Sequence, residues 1–114
     1  MALVKNDNGT VELRDDLTDN LIRTFENVTV CDENHNKGRI LLLRKDSGYV
    51  ELYNSRNGNL MFVINDEIYI DASFEGDQIR LVNSRYDAEM RNIDDGKLVS
   101  SESIGTKPVR ASLF

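Results

Sequence analysis

The sequence predicts a mainly β fold: an antiparallel meander sheet, closed as a small barrel or packed as a sandwich, with one N-terminal α-helix. Three observations predict it. From Val28 onward, short apolar runs are separated by pairs of turn-forming residues. Before Val28, Leu13, Leu17, Leu21 and Phe25 recur every fourth residue, an apolar stripe at helical period. The chain has 114 residues, a length that suits one domain able to bury roughly two-thirds of its unfolded surface without staples.

The expected helix covers residues 15–27. Ile22 joins its stripe, and Asp15, Asp16 and Asp19 stand near its start, where the helix dipole favours acids. The meander is expected over 28–104. Ser47-Gly48, Asn57-Gly58, Asn65-Asp66, Glu75-Gly76 and Asp95-Gly96 are read as two-residue hairpin loops. Each loop fixes a register. The first sets Leu43 against Leu52 and Arg44 against Glu51. The second sets Leu52 against Val63, the third Val63 against Ile68, and the fourth Ile70 against Leu81 and Asp71 against Arg80. Apolar groups meet apolar groups, and two opposite-charge pairs emerge, each contributing about 0.2–1 kcal/mol.

This register gives one sheet with two apolar faces. Leu41, Leu43, Leu52, Met61, Val63, Ile68, Ile70, Ile79 and Leu81 form an aliphatic face. Ile40, Leu42, Tyr53, Phe62, Tyr69 and Val82 form an aromatic row rimmed by Arg44, Glu51, Asp71 and Arg80. After Asn83 the pattern weakens. Asp95-Gly96 sets Ile93 against Leu98 but also Glu89 against Glu102. The tail, 105–114, alternates Val109, Ala111 and Leu113. It is read as an edge strand or as an arm that adds to a neighbour's sheet. The whole of 1–114 is taken as a single domain.

Composition narrows the functional classes. The formal net charge is −6, so no basic stripe is present to replace nucleic-acid counterions or to bind an anionic membrane. The single cysteine, Cys31, excludes an internal disulfide. No secretory signal or membrane-length apolar run is visible, which points to a soluble chain made in the cytoplasm. Asn8-Gly9-Thr10 and Asn27-Val28-Thr29 match the glycosylation pattern by chance on this reading.

The stretch "CDENHNKG" holds the only cysteine and histidine. One Cys and one His are too few for a zinc site, and the calcium-loop pattern fails because Gly38 falls one place late and Leu43 stands where a bidentate Glu is needed. The acidic pairs Asp15-Asp16, Asp32-Glu33 and Asp94-Asp95 sit where turns and element starts call for Asp. No phosphate loop, nucleophile elbow or zinc-protease motif occurs. The expectation is a protein that is not an enzyme and carries no cofactor or metal.

The candidate site is the aromatic row. Tyr53, Phe62, Tyr69, Val82 and Leu42 are expected to form a partner interface, because aromatic cores with charged rims typify such surfaces. The favoured function is a non-catalytic assembly module packing with itself or a larger protein, such as a phage head or tail accessory protein. The second is an acidic inhibitor, of the anti-defence or immunity type, that fills a basic cleft. A small-ligand binder ranks last, because the aliphatic face carries no converging polar groups.

Overall fold

The computed structural model describes residues 2–105, and every regular element in it is a strand. In order these are β1 (Ala2–Lys5), β2 (Val11–Arg14), β3 (Leu21–Phe25), β4 (Val28–Asn34), β5 (Arg39–Arg44), β6 (Val50–Asn54), β7 (Leu60–Ile64), β8 (Tyr69–Glu75), β9 (Gln78–Asn83), β10 (Asp87–Asn92) and β11 (Leu98–Ser103). They form three antiparallel sheets ordered β1-β2-β3, β4-β5-β6-β7 and β8-β9-β10-β11. Each sheet is a meander of consecutive strands, so the mainly β, antiparallel expectation holds. One continuous sheet does not form, because β7 and β8 do not pair.

The expected helix over 15–27 is absent. Asp15 begins a turn: its carboxylate accepts from the N–H groups of Leu17 and Thr18 at 2.8 and 3.0 Å. A helix N-terminus would show the same local bonding. Asp19, however, takes the left-handed conformation (φ 58°) and reverses the chain into β3. The stripe was illusory. Leu13 and Phe25 are buried on paired strands, while Leu17 is 96% exposed at the turn tip and Leu21 is half exposed.

Four of the five turn pairs mark real reversals: the loops at Ser47-Gly48, Asn57-Gly58 and Asp95-Gly96 are longer than two residues, and that at Glu75-Gly76 is a two-residue loop one place later, Gly76-Asp77. Arg44 N–H bonds Tyr49 O and Gly48 N–H bonds Arg44 O, closing a four-residue loop over 45–48. The same two bonds recur at Asn54/Asn59/Gly58, at Asn92/Lys97/Gly96 and, with aspartate in the glycine's place, at Asp15/Asn20/Asp19. Each loop needs a left-handed fourth residue, which glycine supplies without a Cβ clash.

Register follows from those loops. Leu43 faces Val50 and Leu41 faces Leu52, a shift of two residues that leaves every side chain on its expected face. Further along, a bulge at Met61 moves β7 by one place: Leu52 faces Phe62, not Val63. Most of β8 is shifted by two places, so Ala72 faces Leu81 and Ser73 faces Arg80, and a bulge at Ile70 makes the shift one place at its start, where Tyr69 faces Asn83. Odd shifts exchange the faces. Met61, Val63, Ile68 and Ile70 therefore lie exposed, not in the aliphatic core. Asn65-Asp66 is no hairpin; it belongs to the crossing from the second sheet to the third. The last hairpin pairs Arg91 with Leu98 and Ala88 with Glu102, so the Glu89–Glu102 clash does not arise.

The sheets stack face to face through two cores. Between the first and second lie Val11, Leu13, Phe25, Val28, Val30, Ile40, Leu42 and Tyr53. Between the second and third lie Cys31, Leu41, Val50, Leu52, Ile64, Tyr69, Ala72, Ile79, Leu81 and Ile93. The middle sheet is apolar on both faces because each covers a neighbour.

The stack has a repeat. Val11–Phe25 (VELRDDLTDNLIRTF), Val50–Ile64 (VELYNSRNGNLMFVI) and Ala88–Glu102 (AEMRNIDDGKLVSSE) are equivalent strand–loop–strand units. In each, a Glu on the first strand accepts a bond from the residue two places on: Arg14 Nε, Tyr53 Oη and Arg91 Nε, at 2.9, 3.0 and 2.8 Å. In each, an Asp or Asn opens the loop by accepting from the backbone N–H two residues ahead, at 2.8 Å. Replacing Asn54 or Asn92 with alanine is expected to cost about 1 kcal/mol each, because the loop N–H then loses its partner. Urea denaturation of the two variants checks this.

Candidate functional site

The expected interface residues do not form one surface. Leu42 and Tyr53 are buried between the first and second sheets, and Tyr69 is buried between the second and third, with Phe62 packed against that core. Tyr53 meets Phe25 edge-on, ring centroids 4.8 Å apart, with the Arg23 guanidinium 4.9 Å over the Tyr53 ring. Val82 is buried on the other face of the third sheet from Leu81, across from Ala88. The aromatic row was an artefact of joining two sheets into one. Cys31 is buried with its thiol 3.8 Å from Thr29 O, while His35 stands on an exposed turn beside Glu33. Among the described residues no group of three or more His, Cys, Asp and Glu side chains gathers to hold a metal.

Two features do stand out. The first is a buried polar network where the second and third sheets meet. Glu89 Oε1 accepts from Tyr69 Oη at 2.9 Å and from Arg91 Nε at 2.8 Å. Arg91 also donates to Gly96 O at 3.0 Å and, from Nη2, to Asp66 Oδ2 at 2.8 Å. Asp66 lies in the crossing between sheets, so one guanidinium ties that crossing, the Gly96 loop and β10 together. Burial opposes the charge on Arg91, but its bonds to Glu89 and Asp66 outweigh it and strengthen its hold on the proton. The sequence carried this signal in the repeated Glu-x-Arg/Tyr, which places both side chains on one face of a strand.

Burial pushes the Tyr69 phenol well above its ordinary value, and its bond to Glu89 adds to the rise. Burial raises Tyr53 too, helped by the Glu51 carboxylate. Both folded values exceed the unfolded one near 10. The neutral phenols therefore support stability fully below about pH 10, and that support is lost as pH rises toward the folded values. Stability is expected to fall above about pH 10, with phenolate absorbance near 295 nm (about that wavelength for tyrosinate) rising together with unfolding. Tyr69→Phe should remove one late-titrating phenol.

The second feature is a groove of about 200 Å³ between the first and second sheets, lined by Leu3, Lys5, Val11, Val28, Thr29, Val30, Glu33 and Lys45. It lies beside β1, which among the described residues pairs with β2 alone. In the other sheets the strand in the place of β1, β5 or β9, has an inner neighbour, β4 or β8. Among the described residues, no strand takes that neighbour's place beside the groove. It is smaller than the roughly 300–1,000 Å³ of small-ligand pockets, and four of its eight lining residues are aliphatic and four polar. Turn analysis alone could not find it, because it follows from comparing sheets.

No family model matches the chain, and no curated protein matches it in sequence. Among solved structures the chain is similar to BamB from Moraxella catarrhalis, with a TM-score of 0.69 and 13% identity. The match covers 89% of this chain and 31% of that one, so the chain spans about a third of the length of BamB. At that identity the likeness shows the fold alone. In this chain successive antiparallel meanders, of three, four and four described strands, pack face to face in the manner of β-propeller blades.

Proposed function

We propose that the chain is a non-catalytic assembly module that binds protein, either itself or a larger assembly, through its outer edge strands. The observation that carries this reading is the pair of outer edge strands, β7 and β11, with apolar side chains exposed on them. An exposed strand edge is a template for another strand. Apolar side chains left in solvent on the outer strands, Leu60 and Val63 on β7 and Leu98 and Val99 on β11, add surface that contact with a partner would cover. A small acidic component of a phage head or tail is the setting this reading suits.

Charge mimicry of nucleic acid by an inhibitor is less favoured. Many of the acids already face a cation: Glu12 with Arg14, Glu67 with Arg85, Asp77 with Lys37, and Glu89 with Arg91. Paired acids project little field.

Substituting aspartate for Tyr53 and Tyr69 cannot test assembly, because both side chains lie in cores and the fold itself would fail. Sedimentation equilibrium of the purified chain at micromolar concentrations tests it. A defined multimer is expected. A monomer throughout would contradict self-assembly.

A further inference from the structure

We infer that two copies of this chain join through β7, strand against antiparallel strand across a two-fold axis, with Val63 of one copy opposite Val63 of the other; this rests on the assembly reading above and names its contact.

Composition singles out the edge. The three sheets end outward in β3, β7 and β11, and among the described residues each of these strands pairs on one side only. Such edges are commonly guarded by charge. β3 carries Arg23 at its centre, and β11 carries Glu102 beside three serines. β7, LMFVI, has no charged or hydroxyl side chain, and Leu60, Met61 and Val63 on it stand partly in solvent. It belongs to the middle sheet, which has a described sheet against each of its faces. Its exposure is therefore independent of what adjoins the first sheet or the third.

The same composition selects a second copy as the occupant. Two identical strands meeting across a two-fold axis set each residue against its counterpart in a self-complementary patch. About the middle of β3 this opposes Arg23 to Arg23, a like-charge contact. About the middle of β11 it opposes Val99 to Glu102. On β7 the run Leu60–Ile64 offers only apolar side chains to meet, whereas a charged strand from another protein would find no countercharge there.

Backbone polarity fixes the register. The bond from Asn54 N–H to Asn59 O starts the ladder between β6 and β7. Bonded and open pairs alternate from there, with Met61 left over at the bulge. Leu52–Phe62 and Val50–Ile64 are then bonded pairs, and Glu51–Val63 between them is an open one. Val63 thus turns its N–H and C=O outward. Across the axis each Val63 N–H donates to the other Val63 carbonyl oxygen, and Phe62 of each copy lies opposite Ile64 of the other. The two middle sheets, of four strands each, become one sheet. The bulge at Met61 confines the match to one end of the strand, so the dimer is a weak one, of about micromolar dissociation constant.

Val63 is 38% exposed, so a polar side chain there remains compatible with the fold. It shares a face of the sheet with Glu51, which lies 3.9 Å from the Arg44 guanidinium. Val63→Glu brings two carboxylates together across the axis, beside two Glu51 groups. Val63→Lys brings two ammonium groups together, each partly offset by its own Glu51. Sedimentation equilibrium between about 1 and 100 µM brackets a micromolar dissociation constant. The wild type is expected to reach twice its 13.0 kDa chain mass toward the upper concentrations. With folding checked by circular dichroism, Val63→Glu is expected to raise the dissociation constant about a hundredfold and Val63→Lys about tenfold, since like charges set against each other in an interface oppose association. An equal mixture of the two should recover the dimer, because each carboxylate then meets an ammonium group. Either folded variant associating as the wild type does would overturn this inference and leave the assembly reading standing. Weakened variants whose mixture stays as weak would do the same, since the two Val63 positions would then not face each other. A wild type that is monomeric throughout would overturn this inference and self-assembly together.

Discussion

Arg91→Ala is expected to destabilise the chain by about 3–5 kcal/mol, the cost of breaking a buried ion pair from one side. Arg91 and Glu89 have side chains only 7% and 8% exposed. With the guanidinium gone, Glu89 keeps the Tyr69 hydroxyl but loses its countercharge, and Gly96 O and Asp66 each lose a donor. Asp66 can turn to water; Glu89 cannot without opening the stack. The effect belongs to the unpaired charge and not to lost packing. Tyr69→Phe, Glu89→Leu and Arg91→Met combined should therefore recover most of it, since apolar replacements of buried pairs are often neutral. Guanidinium unfolding of the single and triple variants measures both. A single variant within about 1 kcal/mol of wild type would mean that the pair is not desolvated.

Gly96→Ala carries the second large effect, roughly 2–5 kcal/mol, from two sources that add. Gly96 has a φ of 75°, where a Cβ crowds its own carbonyl. A Cβ there would also lie 2.8 Å from the Phe62 ring of the neighbouring sheet. An aromatic ring packed against the second core has little room to retreat. Gly76→Ala is the control: its φ is 59° with nothing within 4 Å of the added atom. It should cost only the backbone strain, about 1–2 kcal/mol. Equal losses at both sites would mean that the Gly96 loop does not press against Phe62. Thermal unfolding of the two variants, followed by circular dichroism, makes the comparison.

These effects show which parts of the molecule could be read from its residues. The turn glycines and the apolar alternation of β5 and β6 led to a correct class and to correct faces for Leu41 and Leu52. The chemistry of those positions acts locally. A two-residue error in loop length is invisible to face assignment because strand period is two. Met61 and Ile70 sit at bulges, and nothing local marks a bulge in an aliphatic run; the first moved β7 by one residue and exchanged its faces, and the second exchanged the faces of Tyr69 and Ile70 at the start of β8.

The false helix has another cause. Leu13, Leu17, Leu21 and Phe25 have helical spacing, yet Leu17 is at a turn tip because Asp15 and Asp19 satisfy a tight loop. Solvent, not a core, receives that leucine. Aligning Val11, Val50 and Ala88 would have corrected it, since the first unit then takes the strand–loop–strand form of the second. A period of roughly 40 residues is the signature of such arrays, and reading the turns one at a time conceals it. The groove was beyond any local reading. It exists only as a difference between the first sheet and the next two.

The central claim is that consecutive meanders stack as separate sheets, and proton–proton contacts in solution test it most directly. A nuclear Overhauser spectrum is expected to connect the Phe62 ring with a Gly96 Hα, and the Phe25 ring with the Tyr53 ring. Contacts between the Tyr53 and Tyr69 rings, with none from Phe62 to Gly96, would put the tyrosines side by side on one sheet and contradict the stack.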